Sequence, residues 1–417
     1  MENACYKSDG ILSLGGDEPH LKECPTCRDR FARRELFFRD LTAADQTMSF
    51  VARAHQATGQ GREMVARLRS ATREERSREV GALLSPHPAL AVCFCDESKR
   101  LLFSSPNQAE EWLRLAETIF SKIEPPSDRW GKKDHAWTEA HLRAVRGNLH
   151  MFRGEIVLAH KEFEEAKVGF ESLDDEFRMA LLARSLGFTW TKLGQPLKAK
   201  EVCLQSLIIL TAYGSIRERF SLMNNLALVL LTLSEHRKAR ALFDYLCASV
   251  PSDDPNLFTI HRNAILPLLE RSEWKEAQAK LESMTALLES CDSDVEKGRT
   301  LRLMGEIHIL EGHAEISLME LRQALDVFAP LNMGYESAQT AALLGKAYSD
   351  LKSYDKAQAH LKRALVFFSG QRFALDLVKT LEVWNSAIER KDLSDRAFHA
   401  IRSFDRISPP PPAIPIM

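Results

Sequence analysis

The sequence predicts an all-α protein: a right-handed α-solenoid of antiparallel helical hairpins, preceded by a small segment with the spacing of metal ligands. Two observations lead to this prediction. A pattern of small and large residues recurs at a nearly constant interval between residues 140 and 370. A His-x3-Cys-x2-Cys sequence lies close to the N-terminus. A fixed period of about 40 residues is typical of stacked helical hairpins.

Each repeat has three marked positions: a small residue in a first helix, a second small residue twelve positions later, and a larger residue four positions further on. The first positions are Gly147, Gly187, Ala227, Gly305 and Gly345. The second are Ala159, Ala199, Ala239, Ser317 and Ala357, and the third are Phe163, Cys203, Phe243, Leu321 and Leu361. A weaker unit fits between them, with Ile265, Ala277 and Leu281.

The first marked positions follow one another at intervals of 40, 40, 38, 40 and 40 residues. Small residues on both helices let the two backbones of a hairpin cross closely. We expect the larger residue to fill the groove towards the neighbouring repeat. Because no single hairpin buries its apolar face, the array is stable only as a stack.

This pattern resembles the tetratricopeptide (TPR) repeat, and the resemblance covers more than half of the chain. The period exceeds the usual TPR length, so we expect helices longer by about one turn. The expected organisation is a metal-type segment (1–38), a helical linker (39–79), a capping hairpin and loop (80–139), six TPR-like repeats (140–370), C-terminal capping helices (371–405) and a disordered Pro-rich tail (406–417).

The N-terminal segment combines His20, Cys24 and Cys27. One helical turn would bring His20 and Cys24 to the same face, and Pro25 would turn the chain so that Cys27 faces the same point. Two thiolates and an imidazole suit tetrahedral zinc. The segment resembles the zinc-binding anti-sigma domain, which implies an upstream fourth ligand, here Cys5, and a sigma factor as partner. A redox-sensitive dithiol and an exposed turn without a special role remain alternatives.

The linker and the capping hairpin carry expectations of their own. The Arg-rich stretch from residue 33 to 78, punctuated by Gly59 and Gly61, either docks on the first hairpin, which we favour, or grips a partner. In the hairpin that follows, Asn107 can cap the second helix. Residues 124–137 are expected to form a loop. Cys93 and Cys95 are expected to pack as apolar residues.

In the TPR family, the first helices line a concave groove that binds peptides. Transferred position by position, the resemblance implies a groove lined by His141, Asn148, Arg184, Asn224, Asn225, Arg302, Glu306 and Lys346. Amide and basic side chains facing one groove could bind peptide backbone and carboxylates. Each of them could equally belong to a solvated face. The set that clamps a C-terminal carboxylate in adjacent repeats is incomplete, so that ligand is not predicted.

Composition excludes several classes of protein. The formal charge of −2 argues against a general nucleic-acid or anionic-membrane binder. The sequence lacks a long apolar run and a signal peptide, so we expect a cytoplasmic protein whose eight cysteines are reduced. No phosphate-binding loop, G-x-S-x-G or H-E-x-x-H motif is present, and we do not expect an enzyme.

The sequence therefore predicts a regulatory scaffold for protein–protein interaction. The solenoid would bind a protein or peptide, and the N-terminal zinc segment would control a sigma factor or another effector. The alternative is a plain TPR adaptor or sensor subunit of a separately encoded protease or nuclease, without zinc.

Overall fold

A computed structural model describes residues 44–387, apart from 125, 253, 255 and 290–292. Within these residues all regular elements are α-helices, which confirms the all-α, TPR-like solenoid class. The chain divides into two compact units: unit 1 reaches Thr191 and resumes at Gln195–Val295, and unit 2 comprises Lys192–Gly194 and the chain from Glu296 onwards. The predicted metal segment and Pro-rich tail lie outside the described residues.

Unit 1 begins with helices α1 (Ala44–Leu68) and α2 (Arg73–Gly81) and a hairpin of α3 (Pro88–Leu101) and α4 (Pro106–Ser121). Its repeats are α5/α6 (Arg129–Arg153, Ile156–Glu171), α7/α8 (Glu176–Lys192, Pro196–Tyr213), α9/α10 (Ile216–Thr232, His236–Ser249) and α11–α12/α13 (Leu257–Asn263, Leu266–Glu270, Trp274–Glu289). Unit 2 has α14/α15 (Asp294–Leu310, Ala314–Phe328), α16/α17 (Gly334–Asp350, Tyr354–Gly370) and α18 (Ala374–Ala387).

The six repeats in the described part of the chain have the predicted register, and their larger residue has a second contact that the sequence analysis did not include. A Cβ atom added at Gly147 would lie 2.5 Å from Phe163 Cε1, and one added at Gly345 would lie 2.5 Å from Leu361 Cγ. Phe163 and Leu321 also lie in core clusters that include Leu182 and Leu344 of the next repeat, as expected. In addition, the larger side chain packs onto the small residue of its own hairpin. The reason is that the missing Cβ leaves a hollow that this side chain fills at van der Waals contact.

Helix α1 packs against α3, and its glycines do not interrupt it. A Cβ atom at Gly61 would lie 2.8 Å from the Cys93 sulfur, so the glycine permits close packing of the two helices. Just beyond α1, the Arg69 guanidinium donates two hydrogen bonds to the buried carboxylate of Glu97, at 3.0 and 2.9 Å. Residues 44–79 therefore dock on the first hairpin.

The α3/α4 hairpin differs from expectation at its cap. Ser105 occupies the N-cap position of α4 and Pro106 the first turn, so Asn107 lies inside the helix. Proline suits the first turn because its missing N–H would be unpaired there in any case. Cys93 and Cys95 are buried, and burial raises the pKa of both thiols. They pack as apolar residues.

The expected loop at 124–137 is mostly helical. Helix α5 begins at Arg129, where the Asp128 carboxylate accepts hydrogen bonds from the backbone N–H groups of Trp130 and Gly131 at 3.1 and 2.8 Å. In the sequence the two prolines come shortly before this N-cap, so they mark a short connection between helices and not a long loop. The first repeat therefore starts about ten residues before the predicted boundary at 140.

The weakest repeat has a broken first helix, α11 followed by α12. Pro267 lies in the first turn of α12. Its ring would collide with the carbonyl group four residues earlier if the helix were continuous. This break explains why the fourth repeat matches the pattern least well.

The turns inside the hairpins share one conformation. A residue with positive φ follows each first helix, namely Gly154, Gly194, Ser234, Ser272, Gly312 and Lys352. The N–H of the next residue donates to a carbonyl five positions back, for example Ser353 to Tyr348 at 2.8 Å. This is the Schellman arrangement that ends a helix. The positions repeat with the same 40, 40, 38, 40 and 40 spacing as the first-helix residues.

Candidate functional site

The first helices of unit 1 form one side of an open cleft with a volume of about 230 Å³. Three of the predicted groove residues, His141, Asn148 and Arg184, line it together. The remaining lining comes from α3, α5, α7, α9 and the ends of two second helices, namely Lys99, Ala144, Val145, Phe170, Arg178, Ala180, Leu181, Leu182, Ser185, Leu210, Glu218, Ser221 and Leu222.

Hydrogen bonds between neighbouring first helices fix the width of this cleft. Ser185 Oγ of α7 donates to Asn148 Oδ1 of α5 at 3.3 Å. The Arg184 guanidinium donates to Ser221 Oγ of α9 at 3.0 Å, and Asn225 Nδ2 donates to the Arg184 carbonyl at 2.8 Å. The cleft is therefore held in a defined shape before any ligand binds, which lowers the entropic cost of binding.

Two predicted groove residues are used inside the protein instead. Asn224 is only 7% exposed, and its Oδ1 accepts a hydrogen bond from Asn263 Nδ2 at 3.1 Å. Asn225 Nδ2 donates a hydrogen bond to the backbone carbonyl of Arg184. Buried amides must be hydrogen-bonded, and the nearest partners are on adjacent repeats. Both asparagines thus join repeats, and the expectation of an exposed Asn224 was wrong.

Asn148 keeps a free donor. Its Oδ1 is occupied by Ser185, whereas its Nδ2 has no hydrogen-bond partner among the described residues. The side chain is half-buried at the wall of the cleft. An amide nitrogen held in this way can donate to a carbonyl group of a ligand.

The cleft is positively charged. Lys99, Arg178 and Arg184 line it, and Glu218 is the one carboxylate in the lining. Glu218 accepts a hydrogen bond from the Ser215 backbone N–H at 2.8 Å as part of the α9 cap. Arg178 lies over the Trp137 ring, with 5.1 Å between its Cζ and the ring centre. Within the described chain, no carboxylate lies within 4.0 Å of the Arg178 or Arg184 guanidinium.

His141, expected on an exposed groove, is only 6% exposed. Its ring stacks on Trp137 with 5.0 Å between the centres, which explains the burial. Among the described residues Nε2 has no hydrogen-bond partner, and the nearest carboxylate oxygen, of Asp96, is 3.9 Å away. Burial, together with the positive charges of Lys99 and Arg178, holds the pKa of His141 well below its usual value. The imidazole is therefore neutral near pH 7.

The other predicted groove residues, Arg302, Glu306 and Lys346, lie in unit 2 on α14 and α16 and are half-buried. Arg302 Nε is buried without a hydrogen-bond partner. A hollow of about 550 Å³ in unit 2 is lined by α15, α17 and the end of α16, and contains none of these three. Their role as a ligand site stays a prediction.

The 40-residue period could have located the residues that sequence reasoning missed. His141 corresponds to Leu181 and Ser221, and Arg178 corresponds to Glu218. All five line the cleft. Shifting the predicted position His141 by one period identifies Leu181, and shifting it by two periods identifies Ser221. Lys99 lies before the regular repeats and carries no such signal.

The described residues contain no group of three or more His, Cys, Asp or Glu side chains that could hold a metal ion. The predicted zinc ligands Cys5, His20, Cys24 and Cys27 lie before residue 44. No helix in the described part of the chain is long and apolar enough to cross a membrane.

Comparison with known proteins finds similarity at the level of structure. No family model matches the chain, and no curated protein sequence matches it. The Rap conjugation gene regulator of plasmid pLS20, in complex with the Phr* peptide, superposes with a TM-score of 0.54 at 14% identity, covering 77% of this chain and 97% of its own. NprR in complex with its cognate peptide NprX gives 0.54 at 16% identity, covering 76% and 88%. Similarity at this identity shows the fold alone.

Proposed function

We propose that this chain is a regulatory scaffold that binds a short peptide, or an extended segment of a protein, in the cleft between α5, α7 and α9. The observation that carries the proposal is the cleft itself. Its width is fixed by hydrogen bonds between repeats, and it presents an amide donor beside two guanidinium groups without a carboxylate partner. These groups match the carbonyl and charged groups of a peptide.

The similar solved structures support a peptide as the ligand. The Rap regulator and NprR were both solved as complexes with peptides. Their fold likeness to this chain makes a peptide a reasonable first ligand to test. The regulated partner of this chain is proposed only as a protein, and its identity does not follow from the fold. No catalytic role is part of the proposal.

The test is a peptide selection followed by binding measurements. A random heptapeptide library is selected on the full-length protein, and the Kd of an enriched peptide is measured by fluorescence anisotropy. Because Asn148 Nδ2 would donate to the peptide, Asn148→Ala should weaken binding about tenfold, the effect of one well-placed hydrogen bond. Failure to enrich any peptide would contradict the proposal.

Two matched variants separate ligand contact from internal structure. Ser185→Ala removes the same internal hydrogen bond but leaves the Asn148 amide nitrogen in place. Gln278→Ala removes an exposed amide from α13, outside the cleft. Gln278→Ala should retain affinity within about twofold, and Ser185→Ala should lose clearly less affinity than Asn148→Ala. Equal losses in Asn148→Ala and Ser185→Ala would show that only the shape of the cleft matters.

The N-terminal segment distinguishes the two functional alternatives, a regulatory scaffold with a zinc segment and a plain adaptor without zinc. We propose that His20, Cys24, Cys27 and Cys5 bind zinc and that this segment contacts an effector, a sigma factor being the partner that the resemblance implies. Elemental analysis should find about one zinc per chain, lost in a Cys24→Ser/Cys27→Ser variant. If protein kept reduced and free of chelator lacks zinc, the plain adaptor of a separate effector, such as a protease or nuclease, is the better description.

A further inference from the structure

We infer that the cleft of unit 1 selects a ligand carboxylate, which binds to Arg178 and Arg184 in the cleft that His141 also lines. This inference rests on the proposed peptide-binding function and adds the chemistry of the ligand. The carboxylate can come from an Asp or Glu side chain or from the C-terminus of the peptide.

The first argument is local charge. With His141 neutral, the lining carries three positive charges (Lys99, Arg178 and Arg184) and one negative charge (Glu218). Lys99 is paired with Asp96 at 2.9 Å, so the remaining excess of +1 comes from the two arginines. The whole chain has a formal charge of −2. Positive charge is thus concentrated in a concave, partly desolvated place, where it attracts an anion more strongly than on a convex surface.

The second argument is the state of the cations. Several basic side chains of unit 1 are paired with a carboxylate, as Arg146 is with Glu117 at 2.8 Å and Arg240 with Glu273 at 2.8 Å. The two cleft arginines differ. Arg178 rests on the Trp137 ring, and Arg184 donates one hydrogen bond to Ser221. Each guanidinium has five N–H donors, so both keep the paired donors that bind a carboxylate in a bidentate way.

The third argument is the buried imidazole of His141, which lines the same cleft as the two arginines. His141 is only 6% exposed, and its Nε2 makes no hydrogen bond within the described chain. An unpaired buried polar atom costs free energy. In the neutral tautomer that carries its hydrogen on Nε2, the ring can donate a hydrogen bond to a carboxylate oxygen in the cleft, next to the positive charge of Arg178.

A carboxylate fits these observations better than a nucleic-acid phosphate backbone. A backbone phosphate repeats along a strand and needs a continuous basic track. The neighbouring position in the next repeat, equivalent to Arg178, is the acidic Glu218. The positive charge is therefore limited to one place, which suits one carboxylate flanked by neutral peptide.

The experiment uses the same heptapeptide selection on the full-length protein and on an Arg178→Gln/Arg184→Gln variant. The wild type should enrich peptides with Asp, Glu or a required free C-terminus. For one enriched peptide, the Kd is then measured with the acidic side chain replaced by its amide, and separately with the C-terminus amidated. The replacement that weakens binding about tenfold or more identifies the source of the carboxylate.

The double variant should weaken the acidic peptide about tenfold or more and should bind the acidic and amide forms equally. Arg237→Gln is the matched control, because Arg237 is exposed on α10 outside the cleft. It should change the Kd less than twofold. Ser221→Ala removes the internal contact of Arg184 but not its charge, and it should keep the acidic preference. A thermal melt of each variant verifies folding.

The outcomes separate the two levels of the proposal. If no peptide is enriched, the proposed function fails and this inference fails with it. If peptides bind without a preference for a carboxylate, or if the preference survives in the double variant, the inference alone is overturned. Tighter binding of a single-stranded oligonucleotide than of any peptide, lost in the double variant, would also overturn it and would assign the arginines to phosphate.

Discussion

At the scale of single residues, four of the six hairpins have a glycine where a methyl group would lie too close to the second helix. Gly147, Gly187, Gly305 and Gly345 face a large side chain of the second helix, and an added Cβ would lie 2.5–2.8 Å from it. In the third repeat Ala227 holds the same position opposite Phe243. Glycine in a helix interior lowers helix propensity, so its use here is explained by close packing.

Substitution of one of these glycines should therefore destabilise the protein. Gly345→Ala places a Cβ 2.5 Å from Leu361 Cγ and should lower the free energy of unfolding by about 1–3 kcal/mol. The measurement is urea unfolding followed by circular dichroism. Gly59→Ala is the control, because Gly59 lies in α1 with nothing within 4 Å of its added Cβ. It should be neutral or stabilising by up to about 1 kcal/mol. Equal losses in both variants would contradict the packing argument.

The buried carboxylate of Glu97 gives a pH-dependent prediction. Hydrogen bonds from Arg100, and also from Arg69, lower the pKa of Glu97 to about 2 from its usual 4.5, against the opposing effect of burial. The carboxylate therefore stabilises the fold above pH 4.5, and this contribution is lost as the pH falls from 4.5 towards 2. Because both arginines are about half-exposed, solvent reduces the expected contribution to about 1–2 kcal/mol.

Glu97→Gln should accordingly lower the free energy of unfolding at pH 7, and the difference from wild type should shrink as the pH falls below 4.5. Unfolding in urea at a series of pH values measures it. Asp96→Asn is the neighbouring control, since the Asp96 side chain is 63% exposed and pairs with Lys99. A surface pair of this kind contributes about 0–1 kcal/mol. A difference for Glu97→Gln that grows at low pH would refute the assignment.

At the scale of helices and turns, the repeat period was the reliable signal. The marker residues predicted six hairpins, and residues 129–370, as far as the structure describes them, form six in the same register. Boundaries were less predictable. The prolines at 125 and 126 suggested a long loop, whereas the Asp128 cap starts α5 at Arg129. Capping by one carboxylate is a local hydrogen-bond effect, and a composition shift does not reveal it.

The residues with positive φ in the hairpin turns should affect the stability of the protein in opposite directions. Gly312 and Lys352 hold equivalent positions with φ of 84° and 56°. An L-residue with this conformation costs about 1–2 kcal/mol, partly offset by its smaller entropy when unfolded. Lys352→Gly should raise the free energy of unfolding by about 0.5 kcal/mol, and Gly312→Ala should lower it by about 1 kcal/mol. Shifts of the same sign in the two variants would be inconsistent with this account.

At the scale of the whole molecule, the fold class followed from the sequence, but the site followed only in part. Of the eight predicted groove residues, His141, Asn148 and Arg184 meet in one cleft. Asn224 and Asn225 instead hydrogen-bond between repeats, and a sequence cannot show which polar groups are consumed in this way. The positive charge of the cleft was hidden as well, because Lys99 and Arg178 come together only through the stacking of α3, α5 and α7.

The central claim is that unit 1 binds a peptide between α5, α7 and α9. Photo-crosslinking tests it most directly. An enriched heptapeptide carrying a benzophenone amino acid is irradiated with the full-length protein, and the modified residues are identified by mass spectrometry. The account predicts crosslinks within residues 141–148, 178–185 and 218–222, and their loss on competition with unlabelled peptide. Competable crosslinks confined to α15 and α17 of unit 2 would contradict it.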